Sequence, residues 1–347
     1  MQQTMTAMRV APGTGRLAAE TVEVADPPAG HVLVRIIASG VCRADVGTSR
    51  RTDSTTPLTP GHEIAGEIAA IGDGVAGWII GDRVAVGWFG GSCGRCEFCR
   101  AGDPVHCAER KTPGVSYPGG WAETVTVPAD ALAAIPDGLD FFDAAPLGCA
   151  GVTTFNAIRR AHLAPGSRVA VFGLGGLGHL AVQFAAKMGH EVVAIARGED
   201  RRELAAGLGA AHYIDSASSE AGEALAALGG ADLILSTASS TAEVSTLTRG
   251  LRIGGRLTLI GVDGGSIEVP AGELVMKSII ITGHITGSAL DIEETMRFAL
   301  ANGVLPMIER MPLEAAPDAV ERLDAGKPRF RIVLDCARSE PSAGADA

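Results

Sequence analysis

An apolar run, a glycine-rich turn and a helical run follow one another without a break between Arg168 and Gly189. That succession constrains the fold more than any other part of the chain. Arg168-Val-Ala-Val-Phe172 has the continuous apolar character of a strand buried on both faces. Gly173-Leu174-Gly175-Gly176-Leu177-Gly178 comes next, then His179 to Met188, good helix formers at helical spacing closed by Gly189. A G-x-G-x-x-G between strand and helix is the context in which the pattern grips a dinucleotide. Gly173 permits the tight turn, Gly175 lets a pyrophosphate approach the backbone, and Gly178 lets helix and strand pack closely. Gly176 and Leu177 complete the turn, and free N–H groups at the helix start face the phosphates. Further on, 231–235, 256–260 and 278–281 recur as short apolar runs alternating with helical ones. That is the rhythm of a doubly wound parallel sheet, an α/β fold.

The chain has 347 residues, too many for one core, so a second domain is expected. A net charge of -11 argues against nucleic acid or an anionic membrane as partner. No apolar run is long enough to span a bilayer. The start, MQQTMTAMRVAPG, lacks the basic and apolar regions of a signal peptide, so a cytoplasmic location is expected. Seven cysteines in a reducing compartment point to metal ligands or free thiols rather than disulfides. The small, polar tail from Arg338 to Ala347 is expected to fray.

Five of those cysteines and one histidine stand out before residue 110. Cys93, Cys96 and Cys99 repeat every third residue and Cys107 completes the set; four thiolates in one loop match a closed structural zinc site. The spacing is not one of the usual iron–sulfur patterns. Cys42 follows a run read as a strand, 31–37, and His62-Glu63 stand at the start of another. With Cys149 they make two thiolates and an imidazole from three separate loops. Catalytic zinc sites use such a trio and leave a fourth position open for water, substrate or a nearby carboxylate. Asp45 and Glu63 are then candidates for holding His62 in one tautomer and tuning the metal.

These motifs are GVCRAD (40–45), PGHEIAGEI (60–68), the four-Cys loop (93–107), PLGCAGVTT (146–154) and VAVFGLGGLGHLAVQ (169–183). In order and spacing the chain resembles the zinc-dependent alcohol dehydrogenases of the medium-chain dehydrogenase/reductase superfamily, over about residues 8–336. The resemblance implies a GroES-like, β-rich catalytic domain, 1–152 and 286–347, with a Rossmann domain, 153–285, inserted. It implies two zinc ions per chain and reversible hydride transfer between a small-molecule alcohol or aldehyde and NAD(P). A homodimer or homotetramer joined through the Rossmann domains is also implied. Residue by residue, Cys42, His62 and Cys149 resemble the catalytic zinc ligands, Glu63 the acid that approaches the metal, and Asp45 the partner of the ligand histidine. Arg43 matches a cofactor-phosphate contact, Thr153 a nicotinamide contact, and Arg331 a basic residue near the pyrophosphate. Trp88 matches an aromatic that narrows the substrate pocket; plain core packing is its other reading. Cys336 is expected to be a free thiol at the domain's far edge.

The second strand of the inserted domain, Glu191 to Ala196, ends without the acid that binds ribose hydroxyls in NAD enzymes. Arg197, Arg201 and Arg202 follow, and guanidinium suits a 2'-phosphate, so NADP(H) is expected over NAD(H). Glu199 and Asp200 are the competing ribose partners. A second departure concerns protons. Where many relatives carry a hydroxyl two residues after the first ligand cysteine and a histidine three further on, this chain has Ala44 and Gly47. Thr48, Ser49 or metal-bound water are then the candidate proton donors. The departure leaves room for reduction of conjugated C=C or C=N bonds as an alternative activity. A non-catalytic zinc-binding protein is the reading from another class.

Overall fold

His31–Val41, the longest strand, is the spine of the first of two units. The computed structural model describes residues 3–238, 243–261 and 265–337; the tail from Arg338 lies outside the described residues. The first unit takes the chain up to Cys149, Gly287–Arg297 and the chain from Met307 on; the second takes Ala150–Thr286 and Phe298–Pro306.

In the first unit one sheet runs in the order Ile308–Pro312, Arg331–Asp335, His31–Val41, Ile64–Ile71, Arg83–Val86, Ala133–Ala134, and Thr124–Pro128 also pairs with His31–Val41. Thr4–Val10 and Leu17–Glu23 form a separate antiparallel pair. Val32, Val34, Ile36, Ile64, Ile68 and Trp121 fill the core with β-branched and aromatic side chains suited to a pleated surface. Register at the end of the spine matters most. Ser39 lies opposite Ile64, and Val41 lies opposite Ile332, both antiparallel. The residue after the spine, the residues before Ile64 and the residue before Ile332 therefore meet at one end of the sheet. Cys42, His62-Glu63 and Arg331 occupy those places.

The second unit is a six-stranded, all-parallel sheet. Its spatial order is His212–Asp215, Glu191–Ala196, Arg168–Phe172, Ala231–Ser236, Leu251–Leu259, Ile280–Gly283. Chain order reverses at Arg168–Phe172, the switch point at which doubly wound sheets bind ligands. The Gly-rich turn stands there, and Gly178–Lys187 is the helix that follows it. A Cβ on Gly178 would lie 1.9 Å from the Gly173 carbonyl oxygen, so only glycine allows this helix-to-strand approach. The resemblance implies that 286 onward belongs to the first domain, whereas Phe298–Pro306 clusters with the second unit. The reason is local packing: the Phe298 ring lies 5.2 Å from Phe155 and 6.0 Å from Phe184. The Gln183 amide also donates to the Leu305 carbonyl at 3.0 Å.

Candidate metal and cofactor sites

Cys42 caps the short helix Arg43–Ser49, and Asp45, the third helical residue, accepts the Cys42 N–H at 2.9 Å in a reciprocal cap. The same carboxylate accepts the Gly61 N–H at 3.2 Å and His62 Nδ1 at 2.9 Å. One buried acid thus ties the two ligand loops together and turns His62 Nε2 outward, as metal-binding histidines require. Cys149 arrives on a π turn, Leu147–Gly151, a distortion common at functional sites. Its sulfur stands 3.4 Å from His62 Nε2. Cys42, His62, Glu63 and Cys149 each offer a ligand atom, all within 4.8 Å of one another. Glu63 is fully buried, and its Oε2 has no hydrogen-bond partner. A buried carboxylate oxygen left bare is costly unless a cation takes it. Two sulfurs, an imidazole nitrogen and that oxygen are a donor set zinc accepts, so the residues fit the metal.

Burial and crowding set the proton affinities of these four donors. The Cys149 thiol's hydrogen bond, working against burial and aided by His62 and Arg331, holds Cys42 well below the usual thiol range. Cys149 goes up, because it donates to Cys42 and is buried. Burial pushes Glu63 up to about 7, against the Arg331 charge. Desolvation opposes protonation of His62, but the Asp45 and Cys42 charges outweigh it and raise the imidazole.

Cys93, Cys96, Cys99 and Cys107 also lie with their sulfurs within 4.8 Å. Cys96 and Cys99 are 3.5 Å apart, Cys93 and Cys107 3.6 Å. The lobe is closed at its neck by Gly90 N–H to the Lys111 carbonyl at 2.8 Å and Lys111 N–H to the Gly91 carbonyl at 2.9 Å. Backbone N–H groups of Arg95 and Cys96 aimed at sulfur bring Cys93 down to about 6, a thiolate-forming environment.

Residues 28–137 match the alcohol dehydrogenase GroES-like domain, and residues 176–301 match the zinc-binding dehydrogenase domain. The chain belongs to the zinc-type medium-chain alcohol dehydrogenases. This dehydrogenase is similar to alcohol dehydrogenase patD of Penicillium expansum, 40% identical over 92% of this chain and 94% of that one. Among solved structures it is similar to a cinnamyl alcohol dehydrogenase of Sorghum bicolor, with a TM-score of 0.89, 29% identity, and 98% and 100% of the two chains covered. A third similarity is to the CAD of Helicobacter pylori complexed with NADP(H): TM-score 0.86, 25% identity, 97% and 99% covered. Its two-domain architecture is GroES-like plus Rossmann, and its activity class is oxidoreductase. Among the described residues no helix is long and apolar enough to cross a membrane.

In the second unit of this dehydrogenase, Gly173 has φ +95°, and the Thr237 hydroxyl holds its carbonyl at 2.9 Å. Gly175, Gly176 and Leu177 line the turn, half-buried. Arg201 Nη1 donates to the Leu174 carbonyl at 2.8 Å, so its guanidinium lies against the turn; its buried Nε has no partner. Arg197 is exposed and pairs with Glu243 at 3.1 Å. Glu199 is tied to Arg202, whose guanidinium covers Tyr213 at 4.9 Å. Thr153 is buried and its hydroxyl donates to the Ile285 carbonyl at 3.2 Å. Asp215, outside every motif above, accepts the Gly198 N–H at 2.7 Å on its carboxylate and anchors the loop carrying the arginines. The signal was an acid ending the strand His212–Asp215, beside the tip of Glu191–Ala196.

In the first unit Trp88 stands edge-on to His62, ring centroids 4.8 Å apart, with its indole N–H unpartnered. Arg43 is exposed, 3.4 Å from Asp324. Arg331, expected near the pyrophosphate, is buried and donates to Glu63. Ala44 and Gly47 are exposed, and a Cβ on Gly47 would meet open space. The Ser49 hydroxyl is already committed to the Val46 carbonyl at 2.9 Å. Cys336 is a free thiol, buried in the sheet core rather than at an edge.

Proposed function

We propose that this chain interconverts a small alcohol and its aldehyde or ketone with NADP(H), at a zinc site made by Cys42, His62 and Cys149. The observation that carries the reading is the meeting of those donors with Glu63 within 4.8 Å, with Asp45 behind His62. Cys42, His62 and Cys149 would hold the zinc, which would supply a Lewis acid for the substrate oxygen, and a bound nicotinamide would supply or accept the hydride. The protein's share is positional. Asp45 keeps His62 in the tautomer whose Nε2 faces the metal, and Trp88 walls the side of the imidazole. Gly175 and the start of Gly178–Lys187 receive the pyrophosphate, and Arg201, set against the turn, favours a 2'-phosphate over a bare ribose. Thr153, Arg43 and Arg197 complete the cofactor contacts in this reading. Cys93, Cys96, Cys99 and Cys107 hold a second, structural zinc.

Ala44 and Gly47 favour a second reading beside the first. With neither hydroxyl nor imidazole at those positions, proton delivery falls to solvent or Thr48. That suits reduction of C=N or conjugated C=C bonds as well as carbonyls. Assembly as a homodimer or homotetramer belongs to the same proposal, supported by exposed Ile253, Val275, Met276 and Ile280 beside the edge strand Ile280–Gly283. The deciding experiment measures turnover of alcohols, aldehydes, enals and cyclic imines with NADPH and NADH, before and after chelation. Chelator-insensitive turnover would remove the zinc mechanism, and equal use of NADH would remove the cofactor preference. A sharp rise in alcohol turnover in Ala44→Ser would show that the missing hydroxyl limits oxidation.

A further inference from the structure

Tyr213 and Asp215 stand two apart on the edge strand His212–Asp215. Their side chains therefore leave the same face of the sheet, opposite Ile214, which packs into the core. The strand runs parallel to Glu191–Ala196 with Asp215 opposite Ala196, which sets both side chains beside the turn that follows that tip. They close on one residue. The Gly198 N–H donates to Asp215 Oδ1 at 2.7 Å, and the Tyr213 hydroxyl donates to the Gly198 carbonyl. Asp215 Oδ1 also accepts the Ala217 N–H at 2.8 Å, and these two backbone donors hold its carboxyl below the usual carboxylate range. Gly198, at φ +78°, leads into the single turn Glu199–Arg201, so the clamp fixes the direction in which that turn leaves the sheet. Two consequences follow for a bound adenosine. Arg201, at the end of the clamped turn, lies against Leu174 with its Nε buried and unpartnered, a donor that an anion's oxygen would satisfy. Arg202, which starts the next helix, covers the Tyr213 ring and holds Glu199 by a 2.8 Å bond. The acid that competes for ribose hydroxyls is thereby engaged elsewhere.

We propose that Tyr213 and Asp215 are positioning residues for cofactor choice. By holding both backbone groups of Gly198 they keep Arg201 ready for a 2'-phosphate and Glu199 engaged with Arg202, which favours NADP(H) over NAD(H). The inference rests on the reading of Arg201 as the 2'-phosphate partner and extends it to two residues of the neighbouring strand.

The test follows nicotinamide fluorescence as the full chain binds NADPH or NADH. It also follows displacement by adenosine 2',5'-bisphosphate or adenosine 5'-monophosphate, fragments that lack the nicotinamide. Tyr213→Phe keeps the ring beneath Arg202 and removes only the hydroxyl. It is expected to raise the Kd for NADPH and for the bisphosphate by about tenfold, the scale of one lost hydrogen bond with its partner left unpaired. The values for NADH and the monophosphate should not move. Asp215→Ala is expected to do the same. In an Arg201→Ala background Tyr213→Phe should add nothing, because both changes act through one guanidinium. A folded Tyr213→Phe protein with an unchanged preference overturns the clamp. So does an equal loss for both cofactors, the mark of a merely structural role, and so does a full additional loss in the Arg201→Ala background. If Asp215→Ala does not fold, Tyr213→Phe and its pairing with Arg201→Ala decide. A wild-type chain that binds the bisphosphate no better than the monophosphate would instead sink the 2'-phosphate reading itself, and the clamp with it.

Discussion

Replacing Asp45 by Asn isolates the contribution of a residue that touches no metal. Asp45 is 2% exposed and accepts three hydrogen bonds: Gly61 N–H and His62 Nδ1 on Oδ1, Cys42 N–H on Oδ2. An amide has one acceptor oxygen. If that oxygen keeps the His62 side, the new NH2 faces the Cys42 N–H, donor against donor. One buried donor left unpaired costs about 1–3 kcal/mol of folding stability. The His62 bond survives, but to a neutral acceptor, so Nε2 loses basicity. Weakening the hydrogen-bond partner of a ligand histidine costs about 10–100-fold in metal affinity, or about 1.4–2.7 kcal/mol. The assay is competition between the protein and a chromophoric zinc chelator. The four-Cys lobe, which Asp45 does not touch, is the reference within the same chain. The expected outcome is a weakened trio site, an unchanged four-Cys site and a lower Tm without metal. Equal zinc affinity at the trio site in both proteins, or equal weakening of both sites, would refute the reasoning.

Gly178→Ala forces a Cβ to 1.9 Å from the Gly173 carbonyl oxygen, so both Tm and cofactor binding should fall, the former by about 1–3 kcal/mol of stability. Gly175→Ala meets nothing within 4 Å, so Tm should hold while nicotinamide fluorescence on mixing is lost; a matched loss of Tm would count against pyrophosphate approach at this position. Arg201→Ala should raise the Kd for NADPH by about tenfold and leave that for NADH unchanged; a parallel change in both would assign Arg201 to the turn rather than to the phosphate. Zinc uptake by the metal-free four-Cys lobe should weaken as pH falls through about 6, where Cys93 takes up a proton that metal must displace. Proton release followed with an indicator dye checks this, and Cys99→Ser should lower the zinc content from two ions per chain to one.

The parts of this protein that sequence alone determined are those whose geometry is local. Strand, G-x-G-x-x-G and helix are contiguous, so their spacing already dictates a tight turn leading into a helix. Cys93, Cys96, Cys99 and Cys107 sit in one loop, so proximity is built into the numbering. Cys42, His62 and Cys149 were legible as donor types, but their meeting depends on Ser39 lying opposite Ile64 and on a π turn bringing Cys149 to the same end of the sheet. Side-chain direction in a strand reverses with each residue of register, and register between distant strands is set by the whole core rather than by nearby spacing. For that reason only the tertiary structure placed Arg331 on Glu63, through Ile332 opposite Val41, and joined Phe298 to the rings of Phe155 and Phe184.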